Sequence, residues 1–385
     1  MKHHIKPGDD VDIELYDLDT DTFVCANHLG EKFLKKKIRK EGKIGKCSYC
    51  EKKRIIVPLS DLLETIITGI NYLFEDPVNS RYLNKEGQHG YDGDTFDFQD
   101  IWDDDKLDLN ITDNELAEDI YQHLNNDSIY CYKDEFYSES EDLENFWNHF
   151  KETVKFKARF VFYFKDVFKG FQYVDPYYIL ERIQKSISKF NLIIELPENT
   201  IFYRARQHSN KDEVKKVSDI ASAPQNLAKA YGRMNPSGIS MFYCSRDKKL
   251  TIAEVVDFTS KDKPFYTTGI FRNKHKVRLV DLSHIPSVGS IFDDSENKER
   301  ETLFFLQEFL KDISKPISSG DSIIDYIPTQ IVTEYIKFNP TLNVNGILYP
   351  SSKVKGVNNI VLFYNHEESI ENLDFKSSSL KTYTI

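Results

Sequence analysis

No apolar run in this sequence approaches the roughly 18 residues that a membrane-crossing helix needs. The opening residues, MKHHIKPGDD, contain nothing like the apolar core of a secretory signal. Cysteine is scarce and scattered, five in 385 residues, which excludes a secreted disulfide scaffold. These absences predict a soluble, cytoplasmic protein with no membrane partner. Nucleotide and hydrolase signatures are missing too: there is no G-x-G-x-x-G after a strand, no G-x-x-x-x-G-K-[ST], no H-E-x-x-H and no G-x-S-x-G. The acidic stretch from His89 to Asp108 has no D-x-D-x-D-G loop closed by a downstream Glu, so an EF-hand calcium site is not expected.

What is present suffices for a large core. Hydrophobic residues make up 40% of the chain and aromatics 13%, and the length suggests two or three domains. A net charge of −11 argues against a nucleic-acid coat, because phosphate binding needs a positive field. Charge is nevertheless segregated: Gly30 to Arg54 is strongly basic, whereas Tyr91 to Glu144 is rich in Asp and Glu.

The texture divides the chain into four zones. Residues 1–57 form a basic, cysteine-bearing segment with a strand at DTFVC and a short helix over EKFLKKKIRK. Residues 58–191 read as helical. Leu62, Leu63, Ile66, Ile67, Ile70 and Leu73 recur at the spacing of one helical face, with Ser60 placed to cap it. Thr112 and Glu115 make a capping-box pattern before LAEDIYQHL, and LENFWNHFKETV and YYILERIQKSISKF repeat the helical period, which together predict a bundle. Residues 192–364 change to short β-branched and aromatic runs, among them NTIFYRA, GISMFYCS, PFYTTGIFR and NIVLFYN, with helical LTIAEVVDF and ERETLFFLQEFLKDI between. Residues 365–385 read as a polar, loosely held tail. The fold class is α+β.

In the first zone, Cys25-Ala-Asn-His28 and Cys47-Ser-Tyr-Cys50 have the spacing of a tetrahedral zinc site. Four protein ligands leave no open position, so the role would be structural, in a segment too short to bury much core. The alternative is a reduced set of thiols without metal. Cys131 and Cys244 stand apart as structural thiols.

The mixed zone places polar residues at strand and loop edges: FYRAR, YGRMNPSGISMFYCS, LTIAEVV, DYIPTQIVTEYIK and GILYPSSKVKGVNNIVLF. Singly, each has an ordinary structural explanation; in this order they closely resemble the RES domain, a family with an ADP-ribosyltransferase-like fold. On that resemblance Arg204 answers to the family's first arginine, Arg233 to its G-R-x-N turn, Tyr243 to the aromatic ending the next strand, Glu254 to its helix glutamate and Ser351 to its serine. Members degrade NAD⁺ or transfer ADP-ribose to a protein, and many act as bacterial toxins restrained by an antitoxin. Self-association is implied in the same way.

The residue types suit that chemistry independently. Breaking the nicotinamide–ribose bond develops an oxocarbenium-like cation, which a carboxylate such as Glu254 stabilises. Arg204 and Arg233 offer permanently charged forks for the pyrophosphate of NAD⁺. Tyr243 can present a ring face to nicotinamide. Ser351 can hydrogen-bond a ribose or phosphate oxygen but has no His placed to make it a nucleophile. His208 reads as a loop histidine, and Thr329 and Gln330 as residues that shape the pocket.

The N-terminal half looks like the HEPN/RES N-terminal domain. Active HEPN ribonucleases carry R-x4-6-H; the nearest pair here, Arg81 and His89, is spaced too widely, so no ribonuclease activity is expected. The sequence thus predicts an NAD⁺ glycohydrolase or phosphorylase acting as a toxin or defence effector. The alternatives are an ADP-ribosyltransferase and a non-catalytic module that binds nucleotide or nucleic acid through the basic knuckle.

Overall fold

The computed structural model describes residues 21–79, 93–133, 146–161, 176–229, 231–295, 297–315 and 323–385. They fall into two compact units, one drawn from Met1–Asp142 and Val288–Glu301, the other from Leu143–Ser287 and Thr302–Ile385. Both combine helices with sheets, and no helix among the described residues is long and apolar enough to cross a membrane.

The first unit opens with a three-stranded antiparallel sheet in which β3 (Lys53–Pro58) lies between β1 (Phe23–Cys25) and β2 (Lys43–Lys46). Helix α1 (Lys32–Glu41) connects β1 to β2 and buries only Leu34 and Ile38, leaving its basic face in solvent. Helix α2 (Leu59–Leu73) follows β3 without a loop and buries the stripe of Leu62, Leu63, Ile66, Ile70 and Leu73. Ser60 is not its cap. The helix begins one residue earlier, directly after Pro58, whose ring presets the entry angle. Gly69 is required on this helix because a Cβ there would meet the Phe292 ring at 2.4 Å.

Two short helices follow among the described residues. Helix α3 (Phe98–Asp103) has a capping box made by Asp97 and Asp100. Helix α4 (Asn114–Leu124) is capped by Asp113, which accepts from Leu116 N at 3.2 Å; the expected Thr112 cap fails because the Thr112 backbone is tied to His28 O instead. Strands β4 (Phe74–Glu75) and β5 (Cys131–Tyr132) pair as a separate ribbon.

The second unit is built on a nine-stranded mixed sheet. Its strands are β6 (Ile193–Leu196), β7 (Ile201–His208), β8 (Phe242–Ser245), β9 (Phe265–Asn273), β10 (Val277–Asp281), β11 (Gly346–Pro350), β12 (Asn358–Leu362), β13 (Leu373–Phe375) and β14 (Lys381–Thr384). The order is β13-β9-β7-β8-β12-β11-β10-β6, with β14 also on β9, and only β10 and β11 run parallel. Alternation along the strands builds two cores: Val280, Ile347 and Val361 face one, Leu279, Leu348 and Ile360 the other.

The first of these cores lies under α5 (Pro176–Lys189), α7 (Asn297–Ser314) and α8 (Ile327–Phe338). Trp147, Phe150 and Val154, from helical residues 146–152 and the π-helical turn Thr153–Lys157, join it, so the helical zone of 58–191 is shared between the two units. Helix α6 (Lys248–Val255) lies against β7 and is considered with the site.

The polar tail expected over 365–385 is instead part of the sheet. It forms α9 (His366–Asn372), β13 and β14, the last two on β9. Edge pairing uses backbone groups, so a polar sequence suffices; Thr382 Oγ1 lies 2.8 Å from Thr267 Oγ1 and Tyr383 stacks on Tyr266. His208, expected in a loop, ends β7 and is buried, with Nε2 2.8 Å from Thr267 Oγ1.

Trp147, Phe305 and Phe309 form one aromatic cluster, the Trp147–Phe309 centroids 5.2 Å apart. Truncation of Phe309 to Ala is expected to lower the unfolding free energy by about 3–5 kcal/mol. The shift of the urea midpoint measures it, and an unchanged midpoint would contradict this packing.

Candidate functional site

The site opens where two strands part. Strand β7 pairs with β9 along its whole length but with β8 only at Tyr203 and Ser245, while β8 continues on β12. Past that point the ladder between β7 and β8 is broken, and a pocket of about 630 Å³ lies in the opening. Arg204, Arg233, Tyr243 and Glu254 all line it, with Tyr349 and Asn359 among the other walls.

Arg204 spans the gap. Its Nη1 donates to Tyr243 O at 2.7 Å, its Nε to Ile220 O at 2.7 Å and its Nη2 to Ala221 O at 3.3 Å. The guanidinium also lies 4.7 Å from the Phe242 ring centre. It therefore replaces the missing ladder bond to β8 and ties β7 to the 220–221 turn. Burial draws its pKa down to about 10, which leaves it charged at neutral pH. The fork expected to grip a pyrophosphate is here turned to backbone carbonyls.

Arg233 is similarly engaged: its Nη1 donates to Ile313 O and its Nη2 to Lys315 O at the end of α7. The turn that carries it is locked from several sides. Tyr243 Oη donates to Asn235 Oδ1 at 2.6 Å and accepts from Met234 N, while Asn235 Nδ2 donates to Ile239 O. Thr329 Oγ1 donates to Arg233 O, and Gln330 Nε2 to Gly232 O and Asn235 O. A Cβ at Gly232 would lie 2.5 Å from both Asn235 Oδ1 and Tyr243 Oη, so only glycine fits. Burial pushes the Tyr243 and Tyr349 hydroxyls and the Cys244 thiol up, so all three stay neutral despite the nearby arginines.

Glu254 is near the C-terminal end of α6, which Asp247 caps through Leu250 N at 2.7 Å and Thr251 fastens to Tyr203 O. Its Oε1 accepts from Ser351 Oγ at 2.6 Å and from Asn359 Nδ2 at 2.9 Å. Ser351 Oγ in turn accepts from Lys353 N and Val354 N, which directs its single proton to the carboxylate. Ser351, expected to touch ribose or phosphate, holds Glu254 in this structure. Glu254 Oε2 has no hydrogen-bond partner among the described residues.

Asn359 escaped the sequence reading. A signal was available: it shares the inward face of β12 with Val361, and a polar residue in such a register needs a partner.

In the other unit, Cys25, His28, Cys47 and Cys50 bring their ligand atoms within 4.8 Å of one another. Cys25 Sγ lies 3.9 Å from Cys50 Sγ, and Cys47 Sγ 3.4 Å from His28 Nε2. A tetrahedral zinc with ordinary bond lengths would set these separations at roughly 3.8 and 3.5 Å, so the donors fit such a metal. Asp113 Oδ2 accepts from His28 Nδ1 at 2.8 Å, which leaves Nε2 free to ligate. Tyr49 Oη donates to Asp119 at 2.7 Å, a second tie from the knuckle to α4. The Lys52 backbone N–H lowers the Cys50 thiol, whereas burial raises that of Cys25.

Two family models match the chain: HEPN/RES N-terminal domain 1 over residues 40–167 and the RES domain over residues 201–378. The chain therefore carries a RES domain behind a HEPN/RES N-terminal domain. No curated protein matches it significantly. The RES match runs from β7 through β13 and contains every pocket residue named above. Arg81 and His89, the widely spaced pair in the N-terminal domain, lie outside the described residues.

Replacing Arg204 by Lys would keep the charge and remove the fork, leaving buried carbonyls unpaired. A loss of about 2–3 kcal/mol of stability is expected in urea unfolding. Wild-type stability would show that the three carbonyl bonds are dispensable.

Proposed function

We propose that the RES domain binds NAD⁺ and breaks its nicotinamide–ribose bond, as a glycohydrolase or phosphorylase. The observation that carries this reading is the Glu254 carboxylate, gripped at one oxygen by Ser351 and Asn359 and without a partner among the described residues at the other, in a pocket shared with two arginines and a neutral tyrosine. In the reaction the C1′–N1 bond breaks and its electron pair passes to the nicotinamide nitrogen, cancelling the pyridinium charge. Positive charge develops on the ribose, and the Glu254 carboxylate stabilises it and orients the 2′-hydroxyl. Water or phosphate then attacks C1′ and releases a proton to solvent, giving ADP-ribose or its 1-phosphate.

The arginines support the binding half of this reading. Arg204 remains cationic although its fork is occupied, and Arg233 adds a second positive charge, so the pocket wall favours a pyrophosphate. Tyr243, kept neutral by burial, offers its ring as a wall for nicotinamide, whose departure as a neutral base needs positioning rather than a strong acid.

We further infer that the Cys25, His28, Cys47 and Cys50 cluster holds a structural zinc, and that the whole acts as a toxin or defence effector restrained by an antitoxin or by its own N-terminal part. The family match supports the class of this role.

Incubation with NAD⁺ is expected to release free nicotinamide. Glu254→Gln should lower the rate by about 100-fold or more and Asn359→Ala by about 10-fold. Wild-type rates in Glu254→Gln would remove the carboxylate from the mechanism. Product analysis with and without phosphate separates hydrolysis from phosphorolysis, and label retained on a macromolecule would favour transfer.

Chelation is expected to lower Tm and to release one zinc per chain. Asp113→Asn should weaken zinc binding about 10-fold in a competition assay with a chromogenic chelator. Zinc-free protein with an unchanged Tm on chelation would remove the metal from the knuckle.

A further inference from the structure

The C-terminal turn of α7 forms part of the pocket wall, and its contacts leave one side chain unexplained. Ser314 ends α7 and lines the pocket, yet its Oγ is buried and has no hydrogen-bond partner among the described residues. Helical hydroxyls in this chain commonly return to the carbonyl four residues back: Thr65 to Asp61 O, Ser186 to Arg182 O and Thr333 to Thr329 O. Ser314 does not. A buried donor left unpaired is disfavoured unless something entering the pocket takes its hydrogen bond.

The neighbours of Ser314 indicate what that is. Arg233, also in the pocket wall, is bound to the carbonyls of Ile313 and Lys315, on either side of Ser314. A hydroxyl donor beside a guanidinium suits an anionic oxygen, and a pyrophosphate supplies one.

The turn is fastened from behind. Asp312 accepts from Trp147 Nε1 at 2.7 Å and from Lys151 Nζ at 2.8 Å, while its backbone carbonyl faces Arg233 Nη1 at 3.4 Å. Trp147 is itself fixed by stacking on Phe150 and by its edge contact with Phe309. Both donors belong to the stretch matched by the N-terminal domain family, whereas Asp312 and Ser314 belong to the RES match.

We propose that Ser314 is a substrate-binding residue that donates to a phosphate oxygen of the nucleotide, and that Trp147 and Lys151, acting through Asp312, are positioning residues for Ser314 and Arg233. Helical residues 146–152, within the stretch matched by the N-terminal family, then set the affinity of the RES pocket. This inference rests on the nucleotide reading given above.

The test is calorimetric binding of ADP-ribose and of nicotinamide to the full chain, with Tm recorded for every variant. Ser314→Ala is expected to weaken ADP-ribose about 10-fold and to leave nicotinamide binding and Tm unchanged, and Ser314→Thr to restore affinity. Lys151→Met should weaken ADP-ribose several-fold alone but add nothing in the Ser314→Ala background, since both act on one contact. Additive losses in the double variant overturn the positioning role. Wild-type ADP-ribose affinity in Ser314→Ala overturns the binding role while leaving the nucleotide reading intact. Failure of the unaltered chain to bind ADP-ribose overturns both.

Discussion

A charged fork replacing a broken strand ladder is the constraint on which the pocket depends. Two antiparallel strands that part after one residue pair leave carbonyls with no partner, and buried carbonyls without partners are costly. Arg204 resolves this by donating to one carbonyl across the gap and to two in the adjacent turn. The opening persists because the residue that spans it is a planar, multi-donor cation rather than another strand. The same cation, together with Arg233, gives the pocket wall its positive charge.

Around that opening, most polar groups are already committed before any ligand arrives. Tyr243, Asn235, Thr329 and Gln330 lock one turn; Ser351 and Asn359 lock one oxygen of Glu254. Glu254 Oε2 and Ser314 Oγ are left without a partner among the described residues. A site whose supports are satisfied and whose working atoms are not is preorganised, since binding then need not break internal hydrogen bonds.

The first unit is held by a different principle. Its knuckle contributes little apolar burial: α1 covers two residues and β2 is almost wholly exposed. Four convergent donors stand in for a core there, and the acidic side chains Asp113 and Asp119 tie that cluster to α4. A basic segment and an acidic helix are thereby joined at the place where a metal would add its own charge.

Much of this was legible from local pattern. The apolar stripe of α2, the strand texture after Leu192, the C-x-x-H and C-x-x-C spacings and the ordered polar blocks all depend on residues close together in the chain, where period and spacing carry the information. Local pattern failed where two neighbours competed, as with Thr112 and Asp113, and where a strand needed no apolar side chains, as in the β14 edge. It also failed on partners. Sequence by itself determined which chemical groups the site contains, because residue identity at strand ends and turns is local. Only the tertiary structure decided which of them are tied to neighbours and which are left open: Arg204 meets a carbonyl 39 residues away and Glu254 a hydroxyl 97 residues away. Such pairs do not exist until the sheet's register brings them together, and hydrogen bonds form only at that range.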